Sequence, residues 1–439
     1  MLILYTALLY LLQPAIWLYL WIRGRKSSSY RQRLAERYGF CIGKVNPYGI
    51  LLHAVSLGET VAAIPLIREL QQRYPHLPIV VTTMTPTGSK FAQHIFGTTV
   101  SHVYLPYDLP KAMKRFLNTT YPKLVIIMET ELWPNMITLL HARNIPLIIA
   151  NARLSERSAK GYRIFGRFMA MLLQRITLIA VQNQADSQRF LRLGVKHSQI
   201  VVTGSLKFEI NVIPELLEHA TRLRREWVRH TRPIWIAAST HKGEEKIVLD
   251  AHCQLLKSFP DLLLIIVPRH PERYKTICKL TQKHNLEYLV RSSKKTPSLN
   301  IQVVIEDSVG ELRLLYAISD LAFVGGSLVE HGGHNPLEPA AHAIPILMGP
   351  HTFNFTEICH HLKQAHGLMS ITDAKSLHQE INTLLTNSNY RLHCGQQAWN
   401  VLNQHKGALK HLLNVLNPYL TKRKNHNECT TKTFSSHDN

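Results

Sequence analysis

Acid and cysteine are scarce in this sequence. Across 439 residues, Asp plus Glu number 29 against 51 Lys plus Arg, so the formal charge is +22 with histidine neutral. An excess of that size calls for an anionic partner, which nucleic acid, an acidic membrane surface or a phosphorylated small molecule would each satisfy; it says nothing about fold. The six cysteines (Cys41, Cys253, Cys278, Cys359, Cys394, Cys429) form no Cys-x-x-Cys pair and no regular spacing. That excludes a cysteine zinc site or a disulfide framework and suits a reducing compartment. Two further motifs are missing: there is no Gly-x-x-x-x-Gly-Lys-Ser/Thr loop for a nucleoside triphosphate and no Asp-x-Asp pair to hold Mg²⁺ or Mn²⁺. With 45% hydrophobic and 18% charged residues, the chain is neither a disordered polymer nor a small scaffold, and its length suggests two or three domains.

Charge is also absent from residues 1–22, which are mostly Leu, Ile, Tyr, Trp and Ala. As one helix this stretch would reach across a hydrocarbon core of about 30 Å. Trp17, Tyr19 and Trp21 fit an interfacial belt, and Arg23, Arg25, Lys26, Arg31 and Arg33 follow directly. The expectation is a membrane anchor at 1–22, with the remainder on the cytoplasmic side by the positive-inside rule. Gln13-Pro14 in mid-segment keeps open a helix lying against the protein or in the bilayer interface.

From Tyr48 onward, short apolar runs alternate with amphipathic stretches, the signature of βαβ units. Predicted strands are 49–55, 79–83, 124–128, 147–150, 178–181 and 200–203, then 234–238, 262–267, 301–305, 321–324 and 345–348. The fold class is therefore α/β: a domain over 23–212, a charged linker at 213–232, a second domain over 233–420 and a polar, disordered tail at 421–439. Open parallel sheets bind ligands beyond the carboxyl ends of their strands, and the chemistry-bearing motifs all fall there.

Four such motifs stand out. His53-Ala54-Val55-Ser56-Leu57-Gly58-Glu59 runs from a strand through a tight turn into a helix, with Glu59 in its first turn. Glu59 is either a carboxylate suited to a helix N-terminus or a proton acceptor for an attacking hydroxyl. Met128-Glu129-Thr130-Glu131-Leu132-Trp133-Pro134-Asn135 places two carboxylates at a strand end, while Thr130 would serve equally as a helix cap. In the second half, Ser239-Thr240-His241-Lys242-Gly243-Glu244 and Pro268-Arg269-His270-Pro271-Glu272-Arg273 offer hydroxyls, helix-start amides and a guanidinium to a phosphate. Finally, Gly325-Gly326-Ser327 through His331-Gly332-Gly333-His334-Asn335-Pro336-Leu337-Glu338-Pro339 exposes backbone amides around glycine pairs and opens a helix at Asn335. Glu338, in that helix's first turn, is placed to accept from ribose hydroxyls. His331 and His334 raise the question of zinc, but the glycines between them argue for loop conformation and no metal is expected.

Together these stretches resemble the motifs of the 3-deoxy-D-manno-octulosonic acid (Kdo) transferases of Gram-negative bacteria, from the N-terminal segment to about residue 415. The resemblance implies a GT-B fold of two Rossmann-like domains facing a cleft, the first for a lipid acceptor and the second for CMP-Kdo. It further implies an inverting, metal-independent transfer to the lipid A precursor (lipid IVA), with CMP-Kdo as substrate and no cofactor, at the cytoplasmic face of the inner membrane. In those terms Glu59 is the general base, and Glu129 is preferred over Glu131 as the acceptor-side carboxylate. Donor contacts fall to Ser239, Thr240, His241, Lys242, Pro268, Arg269, His270, Asn335 and Glu338, and to the amides of Gly325, Gly326 and Ser327. Ser56, Asn151, Arg153 and Lys207 are candidates for the acceptor, or solvated surface groups. The basic cluster Arg23–Arg33 would meet anionic headgroups. A different envelope glycosyltransferase using a UDP-sugar is the alternative, and a nucleic-acid-binding protein is disfavoured because no recognition module is visible.

Overall fold

A computed structural model describes residues 1–41, 43–227 and 232–421. The expected tail therefore falls, after Thr421, outside the described residues. The described residues form two compact units, one of residues 1–209 with 407–421 and one within residues 210–406.

The first unit is built on a seven-stranded parallel sheet: β1 (Ile50–His53), β2 (Ile79–Thr83), β3 (Ser101–Tyr104), β4 (Leu124–Met128), β5 (Leu147–Ala152), β6 (Leu178–Val181) and β7 (Ile200–Val202). Their order is β3-β2-β1-β4-β5-β6-β7. The sequence explains the layout: β1, β2, β4 and β5 are buried along their whole length, as apolar runs covered on both faces by helices must be. Chain order reverses between β1 and β4, which pair directly with His53 opposite Ile127. That switch point is where a crevice opens beyond the strand ends.

The second unit repeats the plan with β8 (Ile234–Thr240), β9 (Leu263–Pro268), β10 (Tyr288–Val290), β11 (Val303–Ile305), β12 (Leu321–Val324), β13 (Ile346–Met348) and β14 (Leu368–Ser370), in the order β10-β11-β9-β8-β12-β13-β14. Here the reversal lies between β8 and β12, again parallel neighbours.

Two boundaries differ from expectation. The charged stretch at 213–232, expected to be helical over 215–229, does form a helix, Pro214–Trp227, but instead of acting as a linker it buries Ala220, Leu223 and Trp227 in the second unit's core. Its Arg224 pairs with Asp320 at 2.9 Å, and Asp320 in turn accepts from the Ile234 amide at 2.8 Å, so the helix is tied to the first strand of that sheet. At the other end, the helix Ala408–Thr421 belongs to the first unit: Ala408, Leu412, Leu413 and Leu416 join the core that holds Leu66 and Ile67. The Glu209 carboxylate accepts from the Gly407 and Leu409 amides (2.8 and 3.1 Å), satisfying donors that a helix start leaves open.

Nor do residues 1–22 form one helix. They divide into α1 (Leu2–Leu11) and α2 (Gln13–Lys26), bent by 46° at the break. No single helix among the described residues is long and apolar enough to cross a membrane, although the bent pair passes on length and composition. Pro14 sits in the first turn of α2, where its missing N–H is no loss, so the break coincides with the Gln13-Pro14 step. The arginines that follow fold back: Arg25 lies over the Trp21 ring (4.1 Å) and Arg31 donates to the Trp21 carbonyl (2.9 Å). Arg33 turns inward to a buried Glu36 at 2.7 Å, which removes it from the expected headgroup cluster.

Candidate functional site

At the switch point of the first sheet, β1 ends at His53 and the chain turns into α3 (Leu57–Arg73). Glu59 reaches back from the first turn of α3, accepting from the Val55 amide (2.7 Å) and the Ser56 hydroxyl (3.1 Å). This is a capping contact, but the carboxyl is also held near neutrality. Burial pushes it up to about 7, helped by the neighbouring charges of Glu129 and Glu131 and opposed by the two hydrogen bonds. The helix-start reading of Glu59 is realised, and the raised carboxyl is compatible with proton acceptance. Ser56 acts on Glu59 itself.

β4, beside β1, is followed directly by Glu129, whose backbone takes the left-handed conformation (φ 56°) that non-glycine residues seldom adopt. Its carboxylate faces two cations, Arg153 at 3.4 Å and Lys207 at 3.9 Å. Glu131 has its carboxyl raised by burial first and by Glu129 second. The three acids expected from two motifs therefore stand together, with three of the four proposed acceptor residues, Ser56, Arg153 and Lys207, beside them. Thr130, between the acids, hydrogen-bonds the Arg153 backbone rather than capping a helix.

Asn151 is a correction. At φ 55° it is buried, and its Oδ1 accepts from the Leu206 amide at 2.9 Å. It holds the backbone beside Lys207 instead of facing a ligand. His53 is likewise interior, with Nδ1 at 2.9 Å from the Thr82 hydroxyl and its ring edge-on to Trp133. Burial pushes the imidazole down to about 3, so it is neutral in the working range.

In the second unit the expected phosphate cradle is already filled. The fully buried Glu244 carboxylate accepts from four amides: Gly326 (2.8 Å) and His241 (2.8 Å) on Oε2, Ser327 (3.1 Å) and Leu328 (3.0 Å) on Oε1. The Gly325 amide bonds Ala238 O at 2.8 Å, and the Ser327 hydroxyl is committed to Val324 O at 2.6 Å. The expectation that the Gly325, Gly326 and Ser327 amides meet the donor phosphate is overturned, because the Glu244 carboxylate occupies those of Gly326 and Ser327 and the Ala238 carbonyl that of Gly325. Glycine is still obligatory at 325, where a Cβ would stand 2.6 Å from Ser239 O and 2.8 Å from Thr240 Cα. Thr240 is buried too, donating to Glu245 at 3.2 Å, and Glu245 is gripped by both Arg273 nitrogens at 2.8 and 3.1 Å. Pro268 is a buried strand end.

What faces outward around this scaffold is imidazole and guanidinium. His241 and His334 approach at 2.8 Å between Nε2 atoms with parallel rings, His331 stacks on His241 at 4.2 Å, and His270 stands edge-on at 5.8 Å. Burial, then surrounding positive charge, pushes both His241 and His334 down to about 4. Two nitrogens at that distance share one proton, since two N–H groups would collide. Arg269 and Lys242 are exposed alongside. Ser239 has a left-handed backbone (φ 56°) beside Gly325. Asn335 caps, its Oδ1 accepting from Leu337 N at 3.1 Å. Glu338 is half-buried; burial raises its carboxyl while Arg313 and Arg269 oppose the rise. Among the described residues, no three His, Cys, Asp or Glu side chains converge as a metal-holding group. Sequence reasoning missed Glu244, Glu245 and the His241–His334 pair. Two adjacent acids opening the helix Glu244–Leu255 were the available signal for the first two.

Comparison with known proteins agrees with this architecture. The family described as "3-Deoxy-D-manno-octulosonic-acid transferase (kdotransferase)" matches residues 32–210, and "Glycosyl transferases group 1" matches residues 237–401. The 3-deoxy-D-manno-octulosonic acid transferase of Haemophilus influenzae is 48% identical, covering 95% of this chain and 98% of that protein. That of Bordetella pertussis is 32% identical, covering 95% and 99%. Among solved structures, the UDP-GlcNAc 2-epimerase of Neisseria meningitidis superposes with a TM-score of 0.55 at 14% identity, covering 83% of this chain and 100% of that one. A glycosyltransferase from Rickettsia africae gives 0.54 at 14% identity, covering 86% and 100%. These two likenesses establish the shared two-domain α/β fold of GT-B type. With the relatives aligned along nearly their whole length, the chain belongs to the 3-deoxy-D-manno-octulosonic acid transferases and is a glycosyltransferase.

Proposed function

We propose that this enzyme transfers Kdo from CMP-Kdo to the lipid A precursor lipid IVA, with inversion and without a metal, at the cytoplasmic face of the bacterial inner membrane. One observation carries the acceptor half: a carboxyl near neutrality, Glu59, flanked by Glu129 and Glu131 at the switch point of the first sheet. An acceptor hydroxyl attacks the anomeric carbon of Kdo, Glu59 takes its proton, and the bond to the phosphate oxygen breaks with its electron pair leaving on CMP. A single displacement inverts the centre and needs one base. Glu129, balanced by Arg153 and Lys207, orients the acceptor sugar, and those two cations suit its phosphates.

On the donor side the phosphate gains negative charge as CMP departs, Arg269 and Lys242 supply the compensating charge, and the neutral His241–His334 pair offers N–H donors. Glu338 takes the ribose hydroxyls. The membrane assignment is supported by the +22 charge and the exposed apolar residues of α1 and α2, such as Ile3, Leu11 and Trp17.

The test is a transfer assay with full-length protein, CMP-Kdo generated in place, lipid IVA in detergent micelles and excess EDTA, products being resolved by mass. Kdo increments that persist in EDTA and disappear in Glu59→Ala are expected. Transfer from a UDP-sugar with none from CMP-Kdo would overturn the donor assignment, and loss of activity in EDTA restored by Mg²⁺ would overturn metal independence.

A further inference from the structure

α1 is apolar except at Tyr5, Thr6 and Tyr10, and the first two of these point at one buried spot on the first unit. The Tyr5 hydroxyl donates to Asp108 Oδ2 at 3.2 Å, and the Thr6 hydroxyl donates to Asn135 Oδ1 at 3.1 Å. Asp108 is 1% exposed and Asn135 is 5% exposed.

Asn135 lies at the start of the helix Pro134–Ala142 and Asp108 sits against that start. That helix has no capping side chain from its own Trp133. Asp108 caps it from another segment: Oδ2 accepts from the Asn135 amide and Oδ1 from the Met136 amide, both at 2.8 Å, while the Asn135 side-chain amide donates to the Asp108 carbonyl at 2.6 Å. A buried carboxylate serving two orphan amides fixes where the helix begins.

What that helix start holds is the acidic loop. Residues 129–133 run from the end of β4 directly into Pro134, so the loop is fixed at one end by the sheet and Thr130–Arg153, and at the other by the Asp108 cap. Trp133 is edge-on to His53, whose strand leads into Ser56 and Glu59. The opposite face of α1 carries Ile3, Leu4 and Leu11, all exposed.

We propose that α1 is a positioning strap: through Tyr5–Asp108 and Thr6–Asn135 the N-terminal helix sets the place of the Glu129–Glu131 loop, and so tunes Glu59, beyond any anchoring role. The inference rests on the reading of these three acids as the acceptor end. Tyr5 and Thr6 touch no reacting group; they act through the cap.

Tyr5→Phe/Thr6→Val in the full chain, assayed in micelles, tests it. A small displacement of positioned groups costs rate steeply, so kcat should fall about tenfold or more with KM for CMP-Kdo unchanged. The ascending limb of the pH–rate profile should move as well, because the groups facing Glu59 (Glu129 and Glu131 raising, the Val55 amide and Ser56 hydroxyl lowering) change distance, with Arg153 and Lys207 acting on Glu129. A loss of folded protein alone would lower the rate and leave the limb in place. Thr6→Ser, which keeps the hydroxyl, should restore the Thr6 contribution. Independently of any donor, hydrogen exchange at the Asn135 and Met136 amides should quicken in Tyr5→Phe/Thr6→Val. Wild-type exchange there, or an unmoved limb, overturns the strap. Absence of transfer by the wild type overturns the functional reading instead, and the exchange data still decide the strap.

Discussion

Glu244→Gln removes one oxygen from a group that serves four donors. In the native loop Oε2 takes Gly326 and His241 while Oε1 takes Ser327 and Leu328. Glutamine offers a single oxygen, so one pair of amides loses its acceptor and meets an NH₂ group. Hydrogen bonds to a charged partner contribute about 1.5–3 kcal/mol each, so two lost bonds come to about 3–6 kcal/mol. The site has 0% exposure, which leaves water little chance to replace them. For a unit of this size, each kcal/mol lowers Tm by roughly 2–4 °C, giving a fall of about 6–24 °C in the transition of the second unit. Calorimetry of wild type and variant measures it, with titration of CMP alongside to report the donor end. The cradle argument fails if the variant melts within about 2 °C of wild type, corresponding to less than about 1 kcal/mol. It fails more instructively if CMP binds tighter, for then the amides belong to the ligand's phosphate after all.

Two further expectations follow from the same geometry. With Glu59, pushed up to about 7, as the proposed base, its carboxylate forms as pH rises through that value, and kcat/KM should climb with an apparent pKa near 7 that Glu59→Gln abolishes. The stability consequence has the opposite sense: between the ordinary carboxylate range and about 7 the folded state holds a proton the unfolded state has released, so this group's contribution declines as pH rises across that window. A urea titration should show a smaller decline in Glu59→Gln than in the wild type, the remainder belonging to other raised carboxyls such as Asp108, which burial also pushes up to about 7. Separately, Gly325→Ala should yield little folded protein, because its Cβ would press on backbone at 2.6 and 2.8 Å, whereas Gly43→Ala, with nothing within 4 Å, should fold and differ only by strain at φ 75°. Soluble yield and circular dichroism distinguish the two.

Most of both sheets was legible from sequence because a parallel strand covered on both faces has to be a continuous apolar run. β2, β4, β6 and β12 match their predicted limits. The three strands that escaped, β3, β10 and β14, are all at sheet edges, where one neighbour is missing and partial exposure admits Ser101, His102, Tyr288 and Ser370. These edge strands lack the pattern because they lack the burial that produces it, whereas β7, also at an edge, kept an Ile-Val-Val run and was predicted. Helix Ala408–Thr421 could not be assigned to a unit from its own residues, since an apolar stripe does not say which core it completes.

The candidate site divides in the same way. Sequence alone determined that Glu59, Glu129 and Glu131 lie at strand ends and that Arg269 and His241 follow strands of a second α/β unit, because strand-to-helix punctuation is a local signal. Only the tertiary structure decided which of those groups keep their chemistry for a ligand. It packed Asn151 and Thr240 inward, filled the glycine-loop amides with Glu244, paired His241 with His334, and bent residues 1–22 at the Gln13-Pro14 step so that Tyr5 and Thr6 meet Asp108 and Asn135. Each of those outcomes is a contact between residues far apart in the chain. Hydrogen bonding and desolvation are settled by such neighbours, and no local pattern carries them.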